Sequence, residues 1–147
     1  MDDLPQRMLR LKSEGFCCSQ IMLILALEAQ GKSNTDLVRA AGGLCYGVGL
    51  SGEICGAFSG GACIISLYAG KGLNEETLDD RYALMVNELM DRLKERAEEA
   101  YGGLKCDDIL GLHPDRRICG QIVAETYGMA MEILLAHGID PGKGRDD

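Results

Sequence analysis

The chain has no tryptophan, only two phenylalanines and two histidines, three prolines, and 15 basic side chains against 23 acidic ones in 147 residues. Each shortage removes a class of function. A net charge of -8 and an isoelectric point near 4.7 leave no basic patch to displace counterions from nucleic acid or to meet anionic lipid headgroups. There is no Ser/His/Asp grouping, no phosphate-cradling Gly-Lys loop and no dinucleotide fingerprint in a strand–helix context, so hydrolase, nucleotide-binding and Rossmann readings have no support. The longest uninterrupted apolar run, Ile21 to Leu27, is far shorter than the roughly 18 residues of a membrane span. The opening Met-Asp-Asp-Leu-Pro-Gln-Arg has neither the basic start nor the apolar run of a secretory signal. A cytoplasmic protein is expected, with no nucleic-acid partner and no membrane insertion.

Strict apolar/polar alternation is missing too, whereas apolar residues recur at three- and four-residue spacing, so the expected fold is all-α. The length suits one domain that buries about two-thirds of the surface of its unfolded chain. We expect a single compact bundle of about five to six helices over residues 1–140, followed by a disordered tail over 141–147. One helix should run from Leu4 to Ser13 and stop at Gly15; a second should run from about Cys17 to Gly31, and Ser33 or Asn34 can cap a third. Glycine then crowds the chain at Gly42, Gly43, Gly47, Gly49, Gly52, Gly56, Gly60 and Gly61. This predicts a loop over 42–52 and a central helix over 53–70, with Gly52, Gly56 and Gly60 on one face that could hold a closely packed helix or a cofactor. Asn74 caps a predicted strut of roughly 28 residues, about 40 Å long, with a charged half held by i,i+4 pairs. A short helical turn over 106–110 and a last helix from Pro114–Asp115 to Gly138 complete the expectation.

What the chain does have is cysteine, seven in all. Four of them, Cys18, Cys55, Cys106 and Cys119, fall where helices should begin. Unpaired N–H groups and the helix dipole at such a position favour thiolate over thiol, the form that attacks disulfides and binds metals. Lys105 precedes Cys106, Arg116 and Arg117 precede Cys119, and Gly56 leaves Cys55 sterically open. Cys45 and Cys63 read as small core residues, and Cys17, about 100° from Cys18 around a helix, points elsewhere. An odd cysteine count in a cytoplasmic chain argues against a structural disulfide framework. No Cys-x-x-Cys occurs, which excludes a thioredoxin-type dithiol, a zinc ribbon and an attached c-type haem. His113 reads as a solvated loop residue ahead of a ligand or proton carrier, and His137 as a structural residue in a last helical turn.

The segment Cys55-Gly56-Ala57-Phe58-Ser59-Gly60 matches a Cys-Gly-Ala-x-x-Gly motif, with Gly15-Phe-x-Cys-Ser-Gln20 upstream and Cys106 and Cys119 downstream. In motif, order and extent the chain resembles the C_GCAxxG_C_C family, whose members are described as redox-active on the strength of their cysteines. The resemblance implies a helical domain with signature cysteines at Cys18, Cys55, Cys106 and Cys119, and leaves Cys17, Cys45 and Cys63 outside the signature. A similar domain occurs in split-Soret cytochromes in association with an iron–sulfur centre, which keeps a metal reading open. Three readings follow. In the first, Cys55 is the attacking thiolate and Cys18, Cys106 or Cys119 resolves it, with a redox partner protein supplying or taking electrons. In the second, the same four cysteines hold an iron–sulfur cluster or zinc. In the third, the protein is a helical interaction module that forms a homodimer through the Gly52/Gly56/Gly60 face.

Overall fold

Two segments of the sequence carry almost no charge, and they become the two helices at the centre. In the computed structural model, which describes residues 3–145, seven right-handed helices are found and no strand among those residues. They are α1 (Leu4–Ser13), α2 (Cys18–Ala29), α3 (Thr35–Ala41), α4 (Gly56–Ala69), α5 (Tyr82–Arg96), α6 (Cys106–Leu112) and α7 (Ile118–Ala136). The fold is all-α as expected, with one helix more than the expected number. A helix that is apolar all round has to be enclosed. The central one, α4, packs against α2, α5 and α7, and buries Ala57, Phe58, Ile64, Ile65, Tyr68 and Ala69. From α2 come Ile21, Met22, Leu23 and Leu25, and from α7 Ile122, Val123, Ala130, Ile133 and Leu134. By length and composition α7 could cross a membrane, but those five side chains lie in the core.

Asn34 caps α3 by accepting the Leu37 N–H at 3.0 Å, so the second of the two candidate caps is used. The predicted strut from Asn74 does not form. Its acidic first turn is spent on tertiary links: Glu76 accepts the N–H groups of Gly72 and Leu73 and pairs with Arg145 at 3.4 Å. Asp79 accepts the Arg81 N–H at 2.8 Å and holds its guanidinium. The helix therefore starts only at Tyr82, and 15 residues give it a length of about 22 Å. Beyond Arg96 the chain loosens into a π turn, Ala97–Tyr101. The charged half does not support itself along α5 alone, since Arg92 reaches Glu132 at 2.7 Å and Arg96 reaches Glu125 at 3.0 Å, both on α7.

The last described residues make contacts with the body of the fold. Tyr68 donates to the Pro141 carbonyl at 2.7 Å, and Arg145 reaches Glu76 and the Thr77 carbonyl. Asp146 and Asp147, the end of the expected disordered tail, lie outside the described residues.

The glycine-rich loop contains the main surprise. After a 3-10 turn over Gly42–Leu44, the stretch Cys45–Gly49 coils the wrong way: Tyr46, Gly47, Val48, Gly49 and Leu50 all have φ between 58° and 68°. That is a turn of left-handed helix containing three non-glycine residues, each strained by its Cβ by roughly 1–2 kcal/mol. It lies against the starts of α2, α4 and α6.

Candidate functional site

All four signature cysteines stand at helix starts. Cys18 and Cys106 are the first residues of α2 and α6, Cys119 is the second of α7, and Cys55 is the N-cap of α4. A short antiparallel pairing sets two of these starts side by side: Cys55 N–H donates to the Leu104 carbonyl at 2.9 Å and Cys106 N–H to the Glu53 carbonyl at 2.7 Å, around the Ile54–Lys105 bridge. The left-handed turn closes over this pairing, because Gly47 donates no side chain: a Cβ there would stand 2.7 Å from the Cys106 Cβ. On the other side, α2 is anchored by buried Ser19, whose hydroxyl donates to the Ala41 carbonyl at 2.8 Å, and by Gln20, whose amide oxygen accepts the Cys17 N–H at 3.2 Å.

The closest approach falls between Cys18 and Cys55. Gly56 permits it, since a Cβ at that position would lie 2.8 Å from Cys18 Sγ and 2.9 Å from the Leu44 carbonyl oxygen. The Cys55 thiol acts on Cys18 most strongly, and the backbone N–H groups of Ser19, Tyr46 and Cys18 also favour charge on the Cys18 sulfur. Together these outweigh burial and bring Cys18 down from 9.0 to about 7. Cys55 is displaced strongly upward, first because it gives its proton to the Cys18 hydrogen bond and then through burial. Of the two, Cys18 is the thiol moved toward ionisation and Cys55 the one moved away from it.

Cys106 and Cys119 depart from expectation as well. Burial pushes both thiols up, and Arg116 only partly offsets it. The neighbouring cations are engaged elsewhere: Lys105 faces Glu53 at 3.9 Å, Arg117 faces Asp115 at 3.6 Å, and the Arg116 guanidinium lies over the Tyr46 ring at 5.7 Å. Even so, Cys106 and Cys119 both feel the charge of Cys18, and Cys119 also that of Cys106, so the four sulfurs share one electrostatic neighbourhood.

Two pairings of thiols and glycines depart further from the sequence reading. Cys17 and Cys45, outside the signature, are joined in a disulfide with a Cα–Cα distance of 5.9 Å, inside the usual range for such a bond. Spacing gives no hint of this pairing across 28 residues; only the turn that carries Cys45 back over α2 creates it. The supposed cofactor face also dissolves. Gly52 is not on the helix and faces the Asp107 carboxyl group, while Gly56 and Gly60 are filled by α2, a Cβ on Gly60 meeting Met22 Cβ at 3.1 Å and Ser19 Cα at 3.2 Å. The space in front of Gly60 is thus taken by α2.

Cys63 is half-buried against the core, and its thiol is raised by that burial. His113 donates from Nε2 to the Ala100 carbonyl at 3.0 Å and ties α6 to the π turn; His137 lies 3.1 Å from Glu88.

The family model described as "Putative redox-active protein (C_GCAxxG_C_C)" matches residues 16–133, most of the chain and all four helix-start cysteines. The chain belongs to the C_GCAxxG_C_C family. No curated protein and no solved structure gives a match to it. An iron–sulfur cluster or a zinc ion needs several side-chain ligands converging on one point. Among the described residues no three His, Cys, Asp or Glu side chains are gathered closely enough to hold a metal ion.

Proposed function

We propose that this member of the C_GCAxxG_C_C family is a thiol–disulfide redox protein whose working pair is Cys18 and Cys55. The observation that carries the reading is the adjacency of two cysteines at the starts of two helices, α2 and α4, where a Cβ on Gly56, the residue after Cys55, would stand 2.8 Å from Cys18 Sγ. Cys18 is the attacking thiolate: three backbone N–H groups and a thiol hold its charge, and thiolate is the reactive form. It attacks one sulfur of a substrate disulfide, the S–S bond breaks, and the departing thiolate takes the Cys55 proton. Cys55 then attacks Cys18 Sγ, closing a Cys18–Cys55 disulfide and releasing the second substrate thiol as thiolate. Two electrons pass from the cysteine pair to the substrate, and the reverse sequence oxidises a dithiol. To Cys106 and Cys119, whose thiols feel the charge of Cys18, we assign the role of accepting that disulfide in turn.

The test is anaerobic exposure of the reduced protein to oxidised glutathione, followed by acid quenching and disulfide mapping. A Cys18–Cys55 bond should form in the wild type, and Cys55→Ser should accumulate a glutathione adduct on Cys18. Iron or zinc bound near one equivalent per chain, and lost on Cys18→Ser, would overturn the reading in favour of a metal centre.

A further inference from the structure

The disulfide outside the signature lies against the pair inside it. Cys17 is the residue before Cys18, and Cys45 is the residue before Tyr46, whose N–H points at Cys18 Sγ. The place where a Gly56 Cβ would stand is 2.8 Å from Cys18 Sγ and 3.4 Å from Cys45 Cα, which puts the sulfur and that half-cystine around one point. Cys45 is 3% exposed, which shuts out a nucleophile from solvent but not one held, as Cys18 is, in the same packed region.

We infer that the Cys17–Cys45 disulfide and the Cys18/Cys55 pair exchange oxidation state inside the chain, making Cys17–Cys45 an internal store of oxidising equivalents for the site. The inference rests on the thiol-redox reading of Cys18 and Cys55. The Cys18 thiolate attacks Cys45 Sγ; the Cys17–Cys45 bond breaks and Cys17 leaves as thiolate. Attack on Cys45 is favoured over Cys17, because neighbouring side chains at a helix start diverge by about 100°. Cys17 is a good leaving group, since it is the N-cap of α2, where the dipole stabilises negative charge. Cys55 then passes its proton to Cys17 and attacks Cys18 Sγ, expelling Cys45 as thiolate. The start and the end each carry one disulfide, one thiol and one thiolate, so no outside oxidant enters. The exchange moves Cys45, which the left-handed turn allows: Tyr46, Val48 and Leu50 are exposed and take no part in the core.

Cleavage after glutamate separates the sulfurs, with Cys17 and Cys18 in fragment 15–28, Cys45 in 29–53, and Cys55 with Cys63 in 54–75. The decisive variant is Cys55→Ser, in which the first step can proceed and the second cannot. Prepared with its single disulfide, trapped with N-ethylmaleimide and digested, it should yield 15–28 joined to 29–53 with the label on Cys17 in a measurable share of chains, located by fragmentation. Label found only on Cys18 would overturn the relay. A second arm measures reduction of the Cys17–Cys45 bond by dithiothreitol, expected to slow about tenfold or more in Cys18→Ser; an unchanged rate would also overturn it. The double variant Cys17→Ser/Cys45→Ser separates the two ideas. If it still forms a Cys18–Cys55 bond with oxidised glutathione while both arms fail, the relay alone is wrong. If neither it nor the wild type forms that bond, the underlying redox reading fails.

Discussion

At the scale of single residues, the site depends on which of two sulfurs carries a charge. Both stand at helix starts, so the dipole does not choose between them; the interaction of the two thiols comes first, and the N–H groups of Ser19, Tyr46 and Cys18 add to it in lowering Cys18. The rate of iodoacetamide labelling at Cys18 should therefore rise with pH through a midpoint at about 7, below the usual cysteine value of about 8.5. A midpoint at or above that usual value would refute the assignment. The same shift has a sign for stability: an acid whose folded value is depressed from 9.0 contributes in full above that pH and loses the contribution as pH falls through about 7. The four helix-start positions were legible in the sequence because capping and apolar spacing are local. Which thiol ionises was not, because hydrogen bonding and burial by distant segments decide it.

At the scale of elements, glycine density at 42–61 announced an unusual backbone but not its hand. The turn at Tyr46–Leu50 places three non-glycine residues in the left-handed region, and Leu50, 76% exposed, has φ 68° with no packing to justify its side chain. Replacing it by glycine removes the Cβ strain, so Leu50→Gly should stabilise the protein by up to about 1 kcal/mol in urea titration. A destabilisation of similar size would mean the side chain has a partner the fold does not reveal. The predicted 28-residue strut failed for an equally local reason. Asn74, Glu75 and Glu76 read as a cap and first turn, yet Glu76 serves the backbone of the preceding loop and Asp79 serves Arg81, leaving Tyr82 as the true start. Capping signals identify residues able to accept N–H groups; they do not say which N–H groups the fold will present.

At the scale of the whole molecule, α4 links the cysteines to the stability of the core, since one helix carries Cys55 at its start and the central apolar layer along its length. Acid should act on ion pairs at the edge of that core. Arg96 holds Glu125 at about 2, down from 4.5, and Arg81 holds Asp79 at about 2, down from 3.8. Both are depressed acids, so their contribution is complete above the unfolded values and disappears as pH falls toward 2. The melting temperature should stay level near pH 6 to 5 on this account and drop below about pH 4.5, and Arg96→Met should flatten the part due to Glu125; an unaltered acid limb in that variant would count against it. Composition and three- and four-residue spacing determined by themselves that the chain is all-α, that the helix after the glycine-rich loop is central, and that four cysteines open helices, since each of these follows from local propensity and burial of apolar faces. Only the tertiary structure decided that Cys18 meets Cys55, that Cys17 reaches Cys45, and that α2 fills the glycine face, because each depends on where a left-handed turn returns the chain, and such a path is set by packing between segments far apart in sequence.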